Sequence, residues 1–278
     1  MSLFVFSALL AAAFLHAGWN ALVRRDPDRA AATIAMAAGG VVVGLAAAPF
    51  LPPIDPAAIP FVLGSSCIHI VYFALVARAY SHAELSVAYP IMRGLAPVLV
   101  AVVGLAFLGE YLQPLQFAGI VLVATGIVTL GLGGWRRGRH GIAAALLNAG
   151  VIAAYTLVDG LGARASGAPA AYTAWILVGG GTLTVGWSFI RQGMPAIAAV
   201  GRRAAIGIAG GIMGFGAYGI ALWSMTVAPI GAVAAVRESS VLFAAALGAV
   251  FLGERFGPAR WAAAALVVAG LVLVRFGT

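Results

Sequence analysis

Apolar residues run along this chain in long blocks, and polar residues gather in short gaps between them. A helix needs about 20 apolar residues to cross the hydrocarbon core of a bilayer. Ten segments meet that requirement, at about 3–22, 30–51, 57–80, 85–108, 113–132, 141–162, 169–190, 204–226, 230–252 and 257–275. The gaps carry turn chemistry, as in Pro52-Pro53-Ile54-Asp55-Pro56, and none is long enough for an extramembrane domain. Barrel strands would alternate apolar and polar residues in segments of about ten, and that alternation is missing. The pattern predicts an all-α polytopic membrane protein with ten transmembrane helices. The first apolar run lacks a basic leader and a small-residue cleavage site, so it is expected to stay as a helix.

The blocks repeat. A shift of 144 residues lays spans four and five on spans nine and ten, with 14 of 45 positions identical between 86–130 and 230–274. Alanine and valine richness explains part of that. It does not explain Phe107-Leu108-Gly109-Glu110 falling on Phe251-Leu252-Gly253-Glu254, or Arg93 on Arg237, Pro114 on Pro258 and Gly126 on Gly270. The expected organisation is therefore a five-helix repeat over 1–134, a basic linker over 135–140 and a second repeat over 141–278. An odd number of helices inverts the second repeat, and inverted repeats are a transporter signature with the substrate site near the midplane.

Composition sharpens the class. Of 278 residues 63% are hydrophobic and 9% charged, which excludes a soluble domain and disorder alike. The formal net charge of +8 would suggest nucleic acid in a soluble protein. Here all 16 basic residues are arginines, mostly in the gaps, which is the pattern of topology charges and not of a nucleic-acid partner. Twelve lie in or beside the gaps after odd-numbered spans and two, Arg164 and Arg275, on the other side. That count places both termini outside the cytoplasm. The single cysteine, Cys67, rules out an internal disulfide and a multi-cysteine metal site, and its apolar surroundings predict burial.

Charges inside a span cost about 2.5–3.5 kcal/mol each on insertion scales, so they mark candidate function. Arg93 lies about 12 Å into span four and Arg237 about 10 Å into span nine, with Glu238 next to it. Adjacent helical residues point about 100° apart, so Arg237 and Glu238 are not expected to cancel each other. Asp159 is the one aspartate within a span, near enough to its end for a helix-end role. His16 and Asn20 share a face of span one with Trp19 nearby, and His69 and Tyr72 share one on span three. Tyr89, Tyr155 and Tyr218 lie beside polar residues and fit an interfacial aromatic belt poorly, and Trp223 is grouped with them as a candidate. Aromatic faces near carboxylates suit an ammonium group, and arginines suit a carboxylate or phosphonate. Together they favour a small zwitterion. The bland alternative is that Arg93 and Arg237 pair with Asp159 and Glu238 as structural staples. Pro90 and Pro97 are expected to interrupt span four. Glu110 and Glu254 read as turn residues, and the glycine pairs Gly39-Gly40 and Gly210-Gly211 as packing surfaces.

Several phrases in order are similar to the ten-helix EamA-like branch of the drug/metabolite transporter superfamily. They are Leu15-His16-Ala17-Gly18-Trp19-Asn20, Tyr89-Pro90-Ile91-Met92-Arg93-Gly94, Ala154-Tyr155-Thr156-Leu157-Val158-Asp159-Gly160, and Ala228-Pro229-Ile230 leading to Arg237-Glu238-Ser239-Ser240. The resemblance implies a secondary carrier without an ATPase. It implies a cavity lined by spans 1, 3, 4, 6, 8 and 9, which hold the polar residues named above, and termini in the cytoplasm, against the arginine count.

The expectation is thus a multi-pass inner-membrane protein that exports or exchanges an amino acid, an aminophosphonate or a similar small zwitterion by alternating access. It needs no cofactor or metal. Its partners are the small-molecule substrate and the lipid bilayer, as monomer or homodimer. Histidines and carboxylates within spans allow proton coupling, and exchange without protons is equally allowed. The chain shows no phosphate loop, His-Glu-x-x-His or Gly-x-Ser-x-Gly, so an enzyme is not expected. The competing function is translocation of a lipid or lipid-linked carrier.

Overall fold

A computed structural model describes residues 1–82, 85–130, 139–252 and 257–277. Every regular element in these residues is helical: α1 (Leu3–Arg25), α2 (Arg29–Ala47), α3 (Ile59–His82), α4 (Leu85–Phe107), α5 (Pro114–Thr129), α6 (Arg139–Ala165), α7 (Pro169–Gln192), α8 (Met194–Arg202), α9 (Ala204–Val227), α10 (Ile230–Arg237), α11 (Ser240–Leu252) and α12 (Pro258–Phe276). Nine stretches among the described residues are long and apolar enough to cross a membrane, and α5 is a shorter apolar helix of 16 residues. The protein is a polytopic all-α membrane protein.

Local chemistry sets the helix ends. Asp28 accepts from the Ala31 amide at 3.0 Å and caps α2. Asp55 accepts from the Ala57 amide at 2.8 Å at the short turn before α3. Pro114, Pro169 and Pro258 open α5, α7 and α12, where a missing amide proton costs nothing.

The chain forms two compact units, and each draws on both halves of the sequence. The first comprises Met1–Ala13, Val71–Leu157 and Val227–Thr278; the second comprises Phe14–Ile70 and Val158–Thr226. In the first unit α5 packs on α12 and α4, and α4 packs on α10. Ile91, Met92, Val100, Ile120, Val123 and Val233 form its buried centre. In the second unit α2 packs on α7 and α8. There α2 also crosses α9 closely: a Cβ on Gly39 would overlap the carbonyl oxygen of Gly207, and one on Gly211 would lie 2.5 Å from the carbonyl carbon of Gly39. Small residues let backbones approach this way where lipid supplies no hydrophobic drive between helices.

Four expectations change. Span four is unbroken, because α4 carries both Pro90 and Pro97 inside it. A membrane helix tolerates proline when neighbouring turns and packed helices hold the backbone. The break is in span nine instead, between α10 and α11, and no proline causes it. The amides of Glu238, Ser239, Val241 and Leu242 reach carbonyls three residues back, at 2.9–3.1 Å, which tightens the backbone into a turn. Between spans seven and eight lies an unexpected helix, α8. Gly193, with φ of 68°, ends α7, and Pro195 lies in the first turn of α8. Buried Ala196 and Ala199 with exposed Met194 and Ile197 make α8 two-faced, as an interfacial helix is. Cys67 is exposed on α3, not buried. An apolar run inside a membrane protein has faces that turn away from the protein, so local hydrophobicity does not predict burial. Glu84, Glu254 and residues 135–138 of the basic linker lie outside the described residues.

Outside the spans, the Arg203 Nε donates to Asp26 Oδ2 at 2.9 Å. This hydrogen bond holds the Asp26 carboxyl below the usual carboxylate range.

Candidate functional site

The first unit holds a buried ion pair. Arg93, nine residues into α4, donates from Nε to Glu238 Oε2 at 3.1 Å and places Nη2 2.6 Å from Glu238 Oε1. Two nitrogens on two oxygens make a side-on fork, the strong form of arginine–carboxylate contact. Glu238 is 5% exposed and sits at the break between α10 and α11. The turn is what aims it: Glu238 reaches α4. Tyr72, Tyr89 and Tyr155 adjoin the Arg93 guanidinium. Tyr72 meets Tyr155 edge to face, with ring centres 5.9 Å apart. Arg93, Arg237, Glu238, Tyr155 and Thr156 line a cavity of about 10 Å³, room for one water-sized sphere.

The second unit holds a buried carboxylate. Asp159 is fully buried and accepts from two phenols, Tyr172 at 3.2 Å on Oδ1 and Tyr218 on Oδ2. The hairpin between α6 and α7 brings Tyr172 opposite Asp159. Gly162 makes space for it, because a Cβ there would overlap the Tyr172 ring. The Ser65 hydroxyl and the His69 ring also act on this carboxylate. His69 Nδ1 lies 2.8 Å from the Ser65 carbonyl oxygen, so that nitrogen carries the proton. Asp159 lies inside α6, not at its end, and its place is that of a polar centre.

The other predicted residues form local contacts. His16 and Trp19 meet edge to face at 5.0 Å, and Asn20 donates its amide to the His16 carbonyl at 2.7 Å. Asn20 thus serves its own helix. Trp223 is half-buried, five residues beyond Tyr218 on α9 and about 140° around it.

Three contributors escaped sequence reasoning: Tyr172, Ser65 and Asn148. Asn148 is fully buried and donates to Met92 Sδ at 3.0 Å, beside Arg93 in sequence. A lone asparagine in an apolar run was the available signal.

Glu110 has a definite structural role. Gly109, with φ of 65°, ends α4, and the Glu110 amide reaches back to the Gly104 carbonyl at 3.0 Å. This is the glycine-terminated reversal that satisfies orphan carbonyls. The Glu110 side chain then accepts from the Ile230 amide, at 3.1 Å and 2.9 Å on its two oxygens. It caps α10, whose N-cap residue, Pro229, has no side-chain acceptor. Gly104 leaves room, since a Cβ there would lie 2.8 Å from Glu110 Oε2. Replacing Glu110 by alanine is expected to lower stability by about 1–2 kcal/mol, the range for a lost N-cap. Thermal unfolding in one detergent measures it, and an unchanged midpoint would refute the capping role.

The second unit also holds an apolar cleft of about 600 Å³, lined by Leu51, Ile54, Ile59, Val62, Leu63 and Trp175 among others.

The EamA-like transporter family model matches residues 2–132 and again 139–276. Over 67 residues the chain is 37% identical to the nicotine metabolites export pump subunit NepA of Paenarthrobacter nicotinovorans; the match covers 24% of this chain and 58% of that protein. A protein of known crystal structure superposes with a TM-score of 0.70 at 21% identity, over 98% of this chain and 95% of the other. That likeness shows the fold alone.

Proposed function

Because this chain belongs to the EamA-like transporter family, we propose that it is a secondary carrier that exports or exchanges a small zwitterionic metabolite, such as an amino acid or an aminophosphonate, by alternating access. The two family matches support reading 1–134 and 141–278 as inverted repeats. The likeness to an export pump subunit supports outward transport across the inner membrane.

The observation that carries the substrate class is the chemistry buried within apolar helices. Charged groups there are retained against an insertion cost. Arg93 and Arg237 suit the anionic end of a zwitterion. Asp159, with two phenols and His69 beside it, suits an ammonium group or a coupling proton.

The test is counterflow of labelled amino acids and aminophosphonates in liposomes. Arg93→Gln and Asp159→Asn are each expected to lower flux by about tenfold or more at equal protein level, since each removes a charge that meets substrate. Unchanged flux in either variant removes that residue from the mechanism. The apolar cleft favours one second reading, translocation of a lipid. Scrambling of a labelled phospholipid without amino-acid flux would select it.

A further inference from the structure

We infer that Glu238 is an internal stand-in for the substrate's carboxylate. It occupies the anion position on Arg93 when the site is empty, and the incoming carboxylate takes that position by displacing it. The inference rests on the carrier reading and adds how the anionic end is bound.

Three observations carry it. The Glu238 carboxylate grips Arg93 in the two-point fork that a free carboxylate would itself adopt. The cavity beside the pair is small, about 10 Å³, so a solute carboxylate that binds Arg93 there competes with Glu238 for the same space. The residue that would move stands at the interruption of span nine, where α10 has ended and α11 has not begun. A side chain on a turn is redirected by changing a few backbone angles, whereas one inside a helix is not.

The neighbourhood can receive both partners after the exchange. Arg237 also lines the cavity, so two arginines and one glutamate border it. The Ser239 hydroxyl is buried with no hydrogen-bond partner among the described residues. A buried polar group left unsatisfied costs stability in this state, and its retention is explained by use in another. A staple would need neither a spare hydroxyl nor a break in the helix. Self-occupation also keeps the arginine paired between turnovers, which an empty site in a bilayer could not do cheaply.

The probe is acetate, with acetamide as its uncharged counterpart, read by thermal unfolding of the purified full chain in detergent at constant ionic strength. Glu238→Gln keeps the side-chain shape and removes the competitor. If the pair is closed at least nine-tenths of the time, acetate should stabilise this variant at about tenfold lower concentration than wild type. Acetamide should stabilise neither, and Arg93→Gln/Glu238→Gln should lose the acetate response. Equal acetate responses in wild type and Glu238→Gln, or a response surviving in the double variant, overturn the inference. If Glu238→Gln is recovered only when acetate is present, that rescue is the expected result. If it is recovered under neither condition, Glu238→Asp, whose shorter arm stretches the fork, is read in the same way, with a smaller shift expected. Intact solute flux without an acetate effect overturns displacement and leaves the carrier. Absent flux overturns the carrier reading whatever acetate does.

Discussion

Arg93→Gln, with Glu238 left in place, is expected to cost about 3–5 kcal/mol of stability, the usual loss when one partner of a buried pair is removed. Arg237 adjoins Glu238 in sequence and should draw the value toward the lower end. The double variant Arg93→Gln/Glu238→Gln should cost less than either single change, because no buried charge is stranded. Unfolding of all four proteins in one detergent closes the cycle. A double-variant loss equal to the sum of the singles would mean that the two residues do not act on each other. The effect is large because both side chains are nearly enclosed, at 12% and 6% exposure. A surface pair of the same geometry would give about 1 kcal/mol or less.

Gly39 and Gly40 should respond in opposite ways to the same alanine substitution. A Cβ on Gly39 meets the backbone carbonyl of Gly207, which cannot step aside without moving α9. Overpacking typically costs about 1–3 kcal/mol when side chains can yield, and here the obstacle is main chain, so the upper end or more is expected. A Cβ on Gly40 meets only the Leu177 side chain at 3.7 Å, an ordinary contact. Gly40→Ala should be neutral or gain up to about 1 kcal/mol from helix propensity. Yield of monodisperse protein and the unfolding midpoint separate the two. Equal behaviour at both positions would show that α2 and α9 do not cross as described.

The apolar helices were legible because hydrocarbon thickness imposes one length on every crossing element, and the sequence must obey it in each apolar block. Arg93, Glu238 and Asp159 were legible for a related reason: charge in such a block is expensive, so its presence alone is a signal. Their partners were not. Which carboxylate meets Arg93 depends on how the turn at Glu238 aims a side chain, and no local rule fixes that. Tyr172 looked like any aromatic near a span end until the hairpin set it against Asp159. The proline rule pointed to the wrong helix. Pro90 and Pro97 each remove one hydrogen bond that packing compensates, whereas the Arg237-Glu238-Ser239-Ser240 run redirects several. Short polar side chains compete with the backbone for its own hydrogen bonds. That run, not the prolines, was the stronger sign of a break.

The bond from Glu110 to the Ile230 amide joins a side chain to a main chain. Such a contact reads geometry and is blind to residue type. Any residue except proline at 230 offers the same amide, and packing of the buried Ile230 side chain, not this contact, limits that position. The two positions therefore have no reason to vary together. Paired substitutions among relatives would pass over this contact, though it ties the end of one apolar block to the start of another 120 residues away. The Glu110 turn can thus hold two helices together and stay silent in covariation.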